Sequence, residues 1–129
     1  MMADGRRVLV VEDDFFVALD TVDLLRASGC EIVGPAASLV AAFELVHSER
    51  LDAAVLDVGI RGELIWPVAE ELLRRHVPIV FLSAYSDTSI FPEDFASVPR
   101  LPKPLQGDRL LACLKTLWEA DVERCERAP

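Results

Sequence analysis

Short β-branched apolar runs alternate along this chain with longer stretches in which apolar residues recur every three or four positions. That alternation is the pattern of a parallel sheet covered by helices on both faces. Val8-Leu9-Val10-Val11 is continuously apolar, as a strand buried on both sides must be, and it stops abruptly at Glu12-Asp13-Asp14. Val17, Thr21, Leu24 and Leu25 then share one face of a predicted helix that Gly29 ends. Glu31 to Pro35 reads as a second strand, and Leu39, Ala42, Phe43 and Val46 mark a second helix behind the N-cap candidate Ser38. Ala53 to Leu56 is a third buried strand ending at Asp57, after which Gly59 and Gly62 punctuate a loop and Pro67 opens a helix. Pro78 to Ser83 is a fourth strand, a short fifth precedes Lys103, and Leu110, Leu111, Leu114, Leu117 and Trp118 describe a closing amphipathic helix.

The stretch between Ser83 and Lys103 departs from this rhythm. Pro92, Pro99 and Pro102 interrupt it, so only Pro92 to Ser97 has room for about one or two helical turns, and a degenerate fourth helix is expected there. No repeat, linker or low-complexity run is visible. The 129 residues therefore read as a single α/β domain with a core of about residues 6–124.

Charge and cysteine content narrow the function classes. Acidic residues outnumber basic ones 22 to 13, for a net charge of −9, and no Lys/Arg-rich run is present to track a phosphate backbone, so direct nucleic-acid binding is not expected. The start lacks the apolar core of a signal peptide, and no stretch is long enough to span a membrane. Cys30, Cys113 and Cys125 are odd in number and widely spaced, which suits reduced thiols and a cytoplasmic location rather than a disulfide framework or a zinc site.

The candidate chemistry lies where strands end. Glu12 and Asp13 follow the first strand and Asp57 closes the third; in an open parallel sheet these ends line the ligand crevice. Three acids gathered there repel one another, and so either hold protons or recruit a cation; all-oxygen ligands suit Mg²⁺. Taken singly, Glu12 and Asp13 could merely open a helix and Asp57 merely cap a turn. Ser83 at the end of the fourth strand and Lys103 in Pro102-Lys103-Pro104 bring a hydroxyl and an ammonium to the same crevice, and together the five side chains form a phosphoryl-transfer set. Asp57 is the candidate nucleophile, Glu12 and Asp13 the metal holders, Lys103 the charge clamp and Ser83 a donor to phosphoryl oxygens. The Lys103–Pro104 bond can be cis, which would turn Lys103 inward.

Val8-Leu9-Val10-Val11-Glu12-Asp13-Asp14, Leu51 to Asp57, Pro78 to Ser83 and Lys103-Pro104 resemble, in order, the hallmark segments of response regulator receiver domains, over nearly the whole chain. The resemblance implies a doubly wound, flavodoxin-like five-stranded parallel sheet of order 2-1-3-4-5. It also implies phosphorylation of Asp57 by a histidine kinase or histidine phosphotransfer protein. Mg²⁺ would be held by Asp13, Asp57 and the Gly59 carbonyl, with Glu12 acting through water, and the readout would be a downstream protein partner. Phe81-Leu82-Ser83-Ala84-Tyr85 is similar to a divergent, often stand-alone subset with a Phe-Ala-Thr-Gly-Tyr segment and an irregular fourth helix. One departure stands out: Arg100 occupies the place where receivers usually carry a switching Tyr or Phe. A guanidinium left in solvent there moves the expected switch to the stretch from Tyr85 to Val98, and Tyr85 is the expected shield of the phosphoryl group. Phe15, Phe16, Phe43, Trp66 and Trp118 are expected at the core or its rim.

The competing readings are a phosphorylation-independent docking module of the same fold, a phosphatase with an aspartyl-phosphate intermediate, and a flavin-binding domain. The first has no reason to keep repelling carboxylates together. A phosphatase would want an acid two residues past the nucleophile, where Gly59 stands, and Glu12-Asp13-Asp14 would repel a flavin phosphate. The expectation is a receiver that catalyses only its own phosphoryl uptake and loss, without an output domain of its own; whether it forms a homodimer is left open.

Overall fold

A computed structural model describes residues 4–84 and 90–127, the stretch 121–127 by its backbone alone. The strands of the main sheet are β1 (Arg7–Val11), β2 (Glu31–Ala36), β3 (Ala53–Asp57), β6 (Ile79–Ser83) and β7 (Arg100–Pro102), and between β3 and β6 lie two short strands, β4 (Gly59–Ile60) and β5 (Glu63–Leu64). The helices are α1 (Phe15–Ala27), α2 (Leu39–Ser48), α3 (Trp66–Arg74) and α4 (Gly107–Arg127). The main sheet is all parallel with strand order β2-β1-β3-β6-β7, the doubly wound arrangement expected from the sequence.

Alternation along the central strands divides the core in two. Leu9, Val11, Leu56 and Phe81 face α2 and α3, whereas Val8, Val10, Val55, Val80 and Leu82 face α1 and α4, and all are essentially buried. The helices bury the faces their periodicity marks. In α4 these are Leu110, Leu114 and Trp118, and in α2 Ala42 and Val46, with Ser38 Oγ accepting the Ala41 N–H at 3.1 Å as the cap. In α1 the buried side chains are Ala18, Thr21, Val22 and Leu25, so Val17 and Leu24 sit at the edge of the face rather than its centre. Gly29, with φ +95°, ends α1 as expected, and the Cys30 N–H returns to Leu25 O at 3.0 Å.

Two elements differ from the sequence reading. The loop after Asp57 contains the β4–β5 hairpin, whose strands of two residues are too short for an alternating pattern to show. Among the residues described between 90 and 99, the degenerate fourth helix shows as a 3-10 turn, Glu93–Phe95, behind Pro92. No helix among the described residues is long and apolar enough to cross a membrane.

Candidate functional site

The carboxyl ends of β1, β3, β6 and β7 meet in one crevice. Asp57 closes β3 at 8% exposure and Ser83 closes β6 at 5%, while Glu12, the first residue after β1, is 4% exposed. Asp13, one residue further, is exposed. Carboxylate oxygens of Glu12, Asp13 and Asp57 lie within 4.8 Å of one another, so the three predicted acids do form one cluster.

Lys103 ties the cluster together. Its Nζ lies 2.8 Å from Glu12 Oε1 and 2.9 Å from Asp57 Oδ2, and its backbone N–H donates to Ser83 O at 3.0 Å. The Lys103–Pro104 peptide is cis. An ammonium shared by two buried carboxylates replaces the water each lost on folding, which is the condition for keeping such groups charged inside a protein. Burial by itself would lower the pKa of Lys103, but its hydrogen bonds to Glu12 and Asp57 prevail and raise it above the ordinary lysine value. Glu12 moves in the opposite sense for a carboxylate: burial, followed by its interaction with Asp57, pushes it up to about 7 despite the opposing hydrogen bond from Lys103.

The remaining acids have separate tasks. Asp14 caps α1 by accepting the Phe16 and Val17 N–H groups at 3.0 and 3.2 Å. Its own N–H donates to Glu12 Oε2 at 3.2 Å, orienting that carboxylate. Asp13 Oδ2 accepts the backbone N–H of Arg61, at the tip of the β4–β5 hairpin, at 2.8 Å. Neither backbone contact was found from the sequence, although Asp14 at the start of an apolar periodicity is a recognisable capping signal. Gly59 opens β4 two residues past Asp57, and a Cβ there would meet nothing within 4 Å, so this side of the crevice is open.

Arg100 corrects an expectation. The guanidinium does not stay in solvent: its Cζ lies 4.1 Å from the centroid of the Phe91 ring, and Nη1 is buried without a hydrogen-bond partner among the described residues. The quadrupole of the Phe91 face compensates part of the desolvation that made burial look too costly. Phe91 in turn belongs to a cluster in which Trp66, Phe81, Phe91 and Phe95 pack with centroids 5.2 to 5.6 Å apart. Trp66, Trp118 and Phe43 are thus core or rim residues as expected, but Phe15 and Phe16 are 71% and 74% exposed at the start of α1. They occupy the first turn of the helix and point away from the sheet that the Ala18–Leu25 face covers. Tyr85, the expected shield, lies outside the described residues.

The all-oxygen donor set fits a small divalent cation: Glu12, Asp13 and Asp57 each offer a carboxylate oxygen within the compass of one ion, and Lys103 neutralises only part of their charge.

Comparison with known proteins agrees with this geometry. The family model of the response regulator receiver domain matches residues 8–115. The chain is 32% identical over 113 residues to the transcriptional regulatory protein PdtaR of Mycobacterium tuberculosis, covering 85% of this chain and 55% of that one; it spans about half the length of the curated relatives it matches. It is similar to the solution structure of SdrG from Sphingomonas melonis Fr1, with 34% identity and a TM-score of 0.77 over 92% of this chain and 99% of that one. A fold match at 22% identity and a TM-score of 0.76, over 88% of this chain and 97% of the other, is the receiver domain of the sensor histidine kinase PA1611 from Pseudomonas aeruginosa PAO1, solved with a magnesium ion coordinated in its active site cleft.

Proposed function

The chain belongs to the response regulator receiver domain family of two-component signalling, and from that premise we propose that it takes a phosphoryl group onto Asp57 in a Mg²⁺-dependent reaction and passes the change to a protein partner. The observation that supports this most directly is Lys103 Nζ held between Glu12 and Asp57 beside Asp13. Four charged groups brought together at the ends of separate strands are expensive to maintain unless their charges are used.

In this reading Asp57 attacks the phosphorus of a phosphohistidine in a kinase or phosphotransfer protein; an Asp57 oxygen–phosphorus bond forms as the nitrogen–phosphorus bond breaks, and the imidazole leaves with a proton from solvent. Asp13, Asp57 and the Gly59 carbonyl would hold Mg²⁺, with Glu12 contributing through water, and the ion when bound would supply positive charge to the transferring phosphoryl oxygens. Lys103 exchanges its bond to Asp57 for one to a phosphoryl oxygen, and Ser83 donates its hydroxyl to another. Catalysis is confined to the chain's own uptake and loss of phosphate, with no separate substrate turned over. Phe15 and Phe16 give the acidic crevice an exposed apolar border of the kind a protein partner covers, whereas the net charge of −9 disfavours nucleic acid. Cytoplasmic residence, alongside the kinase domain that would donate the phosphoryl group, follows from the same reading.

The test is intact mass after incubation with acetyl phosphate, with and without Mg²⁺. A metal-dependent gain of one phosphoryl, located on Asp57 after borohydride trapping, is the expected result; no gain, or gain independent of metal, removes the proposal.

A further inference from the structure

The two buried acids of the crevice are held by Lys103, but the third is not. Asp13 is exposed, and its one hydrogen bond among the described residues is from the Arg61 backbone N–H to Oδ2 at 2.8 Å, which leaves Oδ1 without a donor. That N–H is presented by an unusual piece of backbone. Arg61 and Gly62 have φ of +50° and +80° and link the antiparallel pair Ile60↔Glu63, the signature of a two-residue primed hairpin turn. A left-handed conformation is routine for Gly62 but uncommon for Arg61. The hairpin base is fixed by Ile60 and Ile65, which are 1% and 0% exposed, and by the Ile65 N–H donating to Val58 O at 2.9 Å. Its tip therefore cannot swing freely, and the N–H it carries meets the one carboxylate of the three that Lys103 does not hold.

We propose that the Arg61-Gly62 turn is a positioning clamp for Asp13: through the Arg61 N–H it holds Oδ2, so that Oδ1 faces the oxygens of Glu12 and Asp57 and the cation site is organised before the ion arrives. The clamp rests on the reading of this crevice as a Mg²⁺ site. It assigns a function to the β4–β5 hairpin that requires the Arg61 backbone and not its guanidinium. A carboxylate already oriented by a neighbouring donor loses less freedom on binding, and removal of such a partner typically weakens metal binding about 10- to 100-fold.

Calorimetric titration of MgCl₂ into the whole chain, four single variants and the hairpin substitutions combined with Asp13→Ala tests this. Arg61→Gly keeps the N–H and tolerates positive φ, so it should bind Mg²⁺ within about twofold of the parent; Arg61→Pro has neither the N–H nor the φ and should bind at least about tenfold more weakly. Gly62→Val distorts the same turn where an added Cβ meets nothing within 4 Å, and should weaken binding in the same direction, which keeps the test decisive if Arg61→Pro does not fold. In an Asp13→Ala background the hairpin substitutions should have no further effect beyond about twofold, because the clamp has nothing left to hold. The proposal is overturned if Arg61→Gly weakens binding as much as the turn-breaking variants, if those bind like the parent, or if their effects persist after Asp13→Ala. Parent protein that fails to bind Mg²⁺ at all would instead remove the metal reading on which the clamp rests. Thermal unfolding of each variant without metal separates loss of the clamp from loss of the fold.

Discussion

The crevice at the ends of β1 and β3 and the sheet edge formed by β6 and β7 are built on opposite plans. At the crevice every acid has a named donor: Lys103 for Glu12 and Asp57, the Asp14 amide for Glu12, the Arg61 amide for Asp13. At the edge, order comes from volume. Trp66, Phe81, Phe91 and Phe95 pack ring on ring, and Arg100 lies over Phe91 with Nη1 unpaired among the described residues. Directional bonds between charges tolerate little displacement, whereas stacked rings and a cation over a ring face can slide at modest cost. The difference separates a part of the molecule whose geometry is fixed by directional bonds, as the proposed chemistry requires, from a part held by contacts that tolerate displacement.

The sharpest way to break this comparison is at Asp57, the proposed nucleophile. Asp57→Asn should abolish uptake from acetyl phosphate, by more than about 100-fold in an intact-mass assay, while the edge cluster stays folded, because the substitution is isosteric and removes one of several repelling charges. Phosphorylation of another residue at the parental rate would show that the polar geometry is not what selects Asp57.

Asp13→Ala comes next. Mg²⁺ affinity should fall about 10- to 100-fold, and the metal-free protein should be as stable as the parent or more so, since a repelling charge has gone. Calorimetry and thermal unfolding check the two halves of this statement. Phe16→Asp, on the exposed border, should slow phosphoryl transfer from a phosphohistidine protein about tenfold and leave uptake from acetyl phosphate unchanged. Equal slowing with both donors would place Phe16 in the chemistry rather than in docking.

Two smaller effects address the edge and the protonation of the crevice. Arg100→Met retains contact with Phe91 without an unpaired buried nitrogen, and should raise stability by about 1 kcal/mol, roughly 3 °C in Tm for a domain of this size. A fall of that size would mean the guanidinium earns more from Phe91 than its burial costs. For Glu12, a carboxyl raised to about 7 in the folded protein favours the protonated form, so its contribution to stability is complete below the unfolded value near 4.5 and is lost as pH rises to about 7. Metal-free stability should therefore decline across that window, and Glu12→Gln should flatten the decline. In the same window Mg²⁺ must displace a proton, so its affinity should rise with pH.

The contrast also explains which parts were legible in the sequence. Glu12, Asp13, Asp57, Ser83 and Lys103 could be found because each is a residue type with few structural reasons to sit at a strand end, and because continuous runs such as Val8 to Val11 locate those ends sharply. The helices followed from Ala42, Val46, Leu110 and Leu114 recurring at helical period. The hairpin tip could not be found in the same way: the atom that matters is the Arg61 amide, which every residue but proline carries. The position of Arg100 was misjudged for a related reason. Burial of a guanidinium looked prohibitive from its charge alone, and the compensating ring, Phe91, is nine residues away in a proline-broken segment whose path no periodicity reveals. Phe15 and Phe16 are expected at the core or its rim because aromatic residues usually pack, but the first turn of α1 projects beyond the face that Ala18, Val22 and Leu25 cover.

The placement of Trp66 gives the molecule a light source of its own. The chain has two tryptophans, and they lie on opposite faces of the sheet: Trp66 among Phe81, Phe91 and Phe95, and Trp118 against α1 and the sheet with its Nε1–H on Asp52 O at 3.0 Å and Arg6 4.9 Å above its ring. Trp66 begins α3 immediately after the hairpin that touches Asp13, and packs on the ring that Arg100 covers. Its emission is therefore placed to respond to changes at the crevice and at the sheet edge, while Trp118, on the far side, serves as a built-in reference. With Trp118 replaced by Phe, a single unlabelled indole would report whether the proposed ion and phosphoryl group reach the crevice and whether the edge responds.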